Sequence, residues 1–424
     1  MTTGVGSWGS RLVPMAGLVA AGWLVLQVGM GLVNGQGATW DFANFYDAGH
    51  KVVAGETANL YDATVPIDGK PPQADMPFFG TPLSALVYAP LAWWTPPTAL
   101  VLFKAAGTVA MVAGIALLFQ LYRRRSGGEP GSASVFVVAT VLFQPFWDIY
   151  HIGGQSTPFV FLLVVLALRA FVEDRDRAAG AWMAVAVAIK PAFALVFILL
   201  LLHGNRTLRV AAVGAGLGLA ALSVRWTGWE VHELFLARIA DTKPESWQNN
   251  SSLTVALDNL QLFWPPAAAL PFGTIGLAVR CAAAGVLVWA YHRPGGAEEL
   301  GGGARRHRDF LLAIIAGMLL MPVVWEHYLM VLFVPLSYLV FQWRRLPHRA
   351  LVVLVLVFAA TTVQNVMILE WLRWQFTMNS PAEAVVTGLL KTVPLAFTAW
   401  LFLAYRRDIE RSMARDEVAA AGAA

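Results

Sequence analysis

Five groups of polar residues interrupt a chain that is otherwise mostly apolar. They are Asp41 with Asn44, Tyr46 and Asp47; Asp148 with His151 and Gln155; Lys190 before Pro191; Asn249-Asn250 with Ser252; and Glu326-His327. The runs around them are long enough to cross a bilayer, and polar groups placed at such depth usually face a cavity. Asp41 opens a segment in which Phe42, Phe45, Gly49 and Val52 recur at helical spacing. That pattern predicts a short helix in the membrane interface, apolar side toward the lipid. A carboxylate at its start can face a substrate arriving from the bilayer, and an aspartate there is also a favoured N-cap. Lys190 lies in the middle of an apolar segment. Its ammonium suits a lipid-linked phosphate, as a compact point charge, or snorkels to the interface. Gln155 follows Gly153-Gly154, so it either bonds the backbone of a helix break or contacts a ligand. Glu326 and His327 form a mutual structural pair or belong to a site. Asn250 caps the segment after it or binds a ligand, and its Asn-Ser-Ser context also fits the short glycosylation pattern.

The elements that position these groups follow from composition. The chain has 424 residues, 58% hydrophobic and 13% charged, with 17 Trp, against roughly 25% charged in a soluble domain. Apolar runs of about 20 residues recur from end to end, which predicts an all-α, polytopic integral membrane protein. A net charge of +4 calls for no nucleic acid, because the arginines cluster between apolar runs, as in cytoplasmic loops. A lone cysteine, Cys281, offers no disulfide framework.

Spans are expected at about 12–33, 97–122, 133–149, 156–172, 178–189, 192–204, 208–226, 265–291, 309–324, 327–342, 349–368 and 384–405, about twelve passes within one domain covering 1–424. The first is read as uncleaved. Loops 34–81 and 227–264 face outward, the former carrying the interfacial helix. Residues 292–308 read as a cytoplasmic linker and 406–424 as a cytoplasmic tail. Residues 82–94 are too short to cross and read as a re-entrant or interfacial helix ending at Pro96-Pro97. Basic residues flank both ends of 178–203, so it should rise and return as two half-length helices with Lys190-Pro191 at the tip. With this topology the five polar groups gather on the outer side.

Walker A, Rossmann, HExxH and Cys/His metal patterns are absent from the sequence. The nearest second carboxylate to Asp41 is Asp47. A divalent cation wants several oxygen ligands, so no metal and no other cofactor is expected.

Asp41, Tyr46, Ala48-Gly49, Gly55 and Leu60-Tyr61-Asp62 together resemble the opening signature of one family. Pro82 with Ala89-Pro90-Leu91, Gly154-Gln155, Gly180 with Lys190-Pro191, Asn250-Ser251-Ser252-Leu253 and Glu326-His327 continue the resemblance in order over residues 40–340. The family is the GT-C-class polyprenyl-phosphate-dependent membrane glycosyltransferases that include mycobacterial phosphatidylinositol-mannoside mannosyltransferases and arabinofuranosyltransferases. The chain departs from it at Pro77-Phe78-Phe79-Gly80-Thr81-Pro82, where Tyr-Pro-Pro is common, and at Tyr328, where a second histidine is. The resemblance implies a GT-C-like fold and transfer of one mannose- or arabinofuranose-type sugar, with inversion, from a polyprenyl-phosphate co-substrate. The acceptor would be a hydroxyl of a lipid-linked or cell-envelope glycan, at the outer face of a bacterial cytoplasmic membrane. It implies Asp41 as general base, Lys190 and His327 with Gln155 at the donor phosphate, and Asn44, Tyr46, Asn250 and Glu326 as substrate contacts. A transporter of lipid-linked sugars is the alternative, since broken helices and buried cations suit both.

Overall fold

The computed structural model describes residues 5–33, 41–62, 78–125, 131–147, 154–241, 252–253, 271–292, 300–363 and 381–422. Every regular element among these described residues is a helix. In chain order the first eight are α1 (Val5–Val33), α2 (Asp41–Ala54), α3 (Pro82–Tyr88), α4 (Pro96–Arg125), α5 (Ser132–Leu142), α6 (Thr157–Val172), α7 (Asp176–Ile189) and α8 (Ala194–His203). The next eight are α9 (Arg206–Thr227), α10 (Trp229–Asp241), α11 (Phe272–His292), α12 (Gly302–Leu320), α13 (Phe333–Phe341), α14 (His348–Val363), α15 (Pro381–Ala404) and α16 (Arg406–Gly422). Short 3₁₀ turns at Ala89–Trp93, Pro191–Phe193 and Glu326–Leu332 join several of them.

Four stretches among the described residues are long and apolar enough to span a membrane: Pro14–Leu32, Pro96–Arg125, Arg206–Thr227 and Gly273–His292. Outward-facing Leu18, Val19 and Val25 of α1 are each about three-quarters exposed. Such a surface requires an apolar solvent, because backbone groups are satisfied within the helix while the side chains have no protein to pack on. The other apolar helices are 10–17 residues long. Proline stops two helices of the bundle, α7 and α12. Met321 before Pro322 and Lys190 before Pro191 both adopt extended backbone, as the pre-proline position favours. The expected pass 133–149 likewise stops at Leu142 and continues as a 3₁₀ turn at Gln144–Phe146.

The centre is α12, whose residues Phe310 to Leu319 are all buried. It packs against α8 and α11 and also touches α6, α15 and α16. A Cβ at Gly317 would lie 2.4 Å from the Val196 Cα, so glycine is what lets α8 cross this close. A second core, of Phe42, Ala48, Leu60, Tyr61, Phe78, Ala85, Tyr88 and Phe103, joins α2 to α3, to the start of α4 and to Val231 of α10.

That second core corrects one expectation. The apolar side of α2 faces protein rather than lipid: Phe42, Ala43, Ala48 and Gly49 are buried, and so are the polar Asn44, Asp47 and Lys51. The two ionised residues pair at 2.8 Å. Aromatic residues 78–103, remote in sequence, supply the cover that the sequence pattern assigned to the bilayer. Pro82–Trp93 falls among the apolar helices of 10–17 residues and not among the four long enough to span. Residues 302–308 of the expected linker are the opening turns of α12, with His307 and Arg308 buried.

The helices sort their polar residues into two ends. At one, Asp176 accepts from Asn205 and Arg306, and Arg306 also donates to the Phe171 carbonyl. The bases of α7 and α8 therefore meet, and the segment between them rises to Lys190 and returns. At the same end α16 pairs Asp416 with Arg345 at 2.9 Å and Glu410 with Arg308 at 3.4 Å. The 16 residues of α6 separate this end from Thr157 by about 24 Å at 1.5 Å per residue. The candidate site lies at that far end.

Candidate active site

Asp41 is the first residue of α2, which Gly49 holds against α3. A Cβ at position 49 would lie 2.5 Å from the Tyr88 carbonyl oxygen. The Asp41 carboxylate accepts a hydrogen bond from the Gln155 side-chain amide. It is therefore turned toward a distant segment and not only back on its own helix.

Gln155 precedes α6, and its neighbour Gly154 takes φ +78°, a conformation open to glycine at little cost. A Cβ at 154 would also come within 3.3 Å of Phe42. Pro158 lies in the first turn of α6, where a missing N–H is tolerated. This tight turn delivers Gln155 and Thr157, both buried, to the same space.

Lys190 ends α7. Its extended backbone, φ −141° and ψ 92°, and the missing N–H of Pro191 stop the helix. The Ala188 carbonyl left near this terminus accepts from the Thr81 hydroxyl at 2.5 Å, which ties the tip to the start of α3. From that tip the ammonium donates to Thr157 Oγ1 at 2.8 Å and to Gln155 Oε1 at 3.5 Å. It lies 4.4 Å from the centre of the Tyr328 ring. Tyr328 is held between His327 and Phe193, at ring separations of 4.9 and 5.4 Å.

Asp41, Gln155 and Lys190 thus form one connected chain, with Thr157 and Tyr328 beside it. His327 joins through its ring contact with Tyr328 and lies within electrostatic reach of the Lys190 ammonium. Gln155 stands between carboxylate and ammonium, donating to the first and accepting from the second, so the two charges do not form a direct ion pair. Burial pushes the Asp41 carboxyl up to about 6, with the Lys190 charge pulling the other way. Desolvation disfavours the ionised form, and the nearby cation offsets part of that cost.

Other expected residues are placed differently. Tyr46 donates its hydroxyl to the Trp94 carbonyl at 2.9 Å and so fastens α2 to the 3₁₀ turn at Ala89–Trp93. Asn44 is buried within α2, and Glu326 is buried at the start of the turn that carries His327. Asn250, Asp148 and His151 lie outside the described residues. Sequence reading passed over Thr157 and Tyr88. Tyr88 is buried with its hydroxyl against Ser156, near Asp41. The clue to Thr157 was its place beside the Gly-Gln turn; nothing in the local sequence of Tyr88 pointed to the site.

A family model for glycosyltransferase family 87 matches residues 78–324, more than half of the chain. The chain belongs to glycosyltransferase family 87. This family 87 chain is a membrane glycosyltransferase, as the ordered motif series implied, and membership decides between enzyme and transporter. The matched region holds Gln155, Thr157 and Lys190; Asp41 precedes it, and His327 and Tyr328 follow it. Contacts across the fold bring all of them together. A search among curated proteins finds no match.

Proposed function

We propose that this family 87 enzyme moves a single sugar from a polyprenyl-phosphate donor to a hydroxyl of a lipid-linked or cell-envelope glycan, inverting the anomeric centre. The reading places the reaction at the outer face of a bacterial cytoplasmic membrane, with a mannose- or arabinofuranose-type sugar. The observation that carries it is the chain Asp41–Gln155–Lys190, built from three separate segments. It sets a potential base one amide away from a cation.

In the proposed step Asp41 takes the proton of the acceptor hydroxyl as its oxygen attacks the anomeric carbon. The bond from that carbon to the phosphate oxygen breaks, and the polyprenyl phosphate departs with the electron pair. An anionic phosphate leaves without a general acid and gains from cations and N–H donors fixed where its charge grows. Lys190 and Gln155 fill that role, with His327 beside them. Asn44, Asn250 and Glu326 are assigned to substrate. Among the described residues, the groups touching Asp41 and Lys190 are an amide, a hydroxyl and an aromatic ring, a set poorly suited to a divalent cation, and the reaction is assigned as metal-independent.

The test is transfer from a radiolabelled polyprenyl-phosphate sugar to a lipid acceptor by purified protein, with a chelator present. Asp41→Asn should lower turnover by about two to four orders of magnitude and leave the unfolding temperature and donor affinity close to wild type. Substantial turnover by the variant removes Asp41 as base.

A further inference from the structure

Lysine ends on four methylene groups with several free rotors, so an ammonium of defined position has to be held by its neighbours. Among the described residues, those in direct contact with the Lys190 ammonium are neutral. Thr157 Oγ1 accepts at 2.8 Å, the face of the Tyr328 ring lies at 4.4 Å, and the Gln155 contact is long at 3.5 Å. A carboxylate in direct contact would fix the ammonium equally well but would cancel the charge needed for an incoming anion. A hydroxyl oxygen and an aromatic face stabilise a cation without neutralising it.

We infer that Thr157 and Tyr328 are positioning residues that hold the Lys190 ammonium off the Asp41 carboxylate and direct it at the anionic group of the donor. Each is fixed independently of Lys190's own helix. Thr157 is carried by the turn at Gly154 and the opening of α6. The Tyr328 ring is clasped by His327 and by Phe193, the latter three residues beyond Lys190. Without the ring or the hydroxyl, the flexible side chain can swing to Asp41 and form the direct pair that Gln155 now interrupts. The inference rests on the reading of Lys190 as the donor-phosphate group.

The experiment is calorimetric titration of the full-length protein in detergent with farnesyl phosphate, a short isoprenyl monophosphate. Lys190→Ala, Tyr328→Leu, Tyr328→Phe, Thr157→Val and Thr157→Ser are compared. Tyr328→Leu and Thr157→Val should each weaken binding about tenfold or more, in the direction of Lys190→Ala. Tyr328→Phe keeps the ring face and Thr157→Ser keeps the acceptor oxygen, so both should bind within about twofold of wild type. Should Tyr328→Leu and Thr157→Val bind like wild type while Lys190→Ala does not, the positioning role is overturned and the phosphate role of Lys190 stands. Wild-type affinity in Lys190→Ala removes the phosphate role itself. If the Leu and Val variants fail to fold, the conservative pair still decides: a tenfold loss in Tyr328→Phe or Thr157→Ser places the weight on other atoms and overturns the inference.

Discussion

At the residue scale the site is governed by a balance between burial and a neighbouring cation. Gln155 keeps Asp41 and Lys190 one amide apart, so the carboxylate is not spent in an ion pair and stays available for the proposed role of base. Its protonation should be visible in the pH dependence of turnover. Activity should fall as pH drops through about 6, well above the range in which an ordinary aspartate would be protonated. The sign for stability is the opposite. A carboxyl raised in the folded state binds its proton more tightly there than in the unfolded chain. Its contribution to stability is therefore complete below the ordinary value of 3.8 and is lost as pH rises through about 6. An acid loss of turnover without a fall in unfolding temperature fits titration of Asp41; parallel loss of both would point to unfolding.

At the element scale, helix ends do the positioning. Pro191 and Pro322 stop α7 and α12, and the Gly154 turn opens α6, so the donors and acceptors of the site sit at termini and not along helix faces. Proline is legible in a sequence, and the break at Lys190 is predictable from it. The seat of α2 is not, because its aromatic partners lie 36 to 61 residues away in the chain, from Phe78 to Phe103 against Phe42. Gly49 makes that seat possible. Gly49→Ala should push α2 from α3, since a Cβ would meet the Tyr88 carbonyl at 2.5 Å. A cost of roughly 1–3 kcal/mol is expected for such overpacking. Thermal unfolding should show it, and turnover should fall with it as Asp41 moves relative to Gln155.

At the scale of the whole molecule, the two polar ends divide the labour. The end built from α16, Arg308, Arg345 and the bases of α7 and α8 holds the bundle together, while the other carries the site. Glu410 is buried and accepts from Arg308 at 3.4 Å and Arg406 at 3.2 Å. Removing one partner of a buried ionic cluster costs roughly 3 kcal/mol, because the remaining charges stay desolvated. Glu410→Leu should lower the unfolding temperature while leaving donor KM near wild type in molecules that fold. A large change in KM would mean that the two ends are coupled.

The sequence by itself determined the class of the protein, the helical secondary structure and the residue types able to do the chemistry. It could do so because hydropathy, prolines and polar residues that interrupt apolar runs are local properties of the chain. Only the tertiary structure decided that α2 packs on protein and not on lipid, that Tyr46 is engaged with Trp94, and that a glutamine separates the carboxylate from the lysine. Those outcomes depend on contacts between segments tens to hundreds of residues apart, which no local pattern encodes.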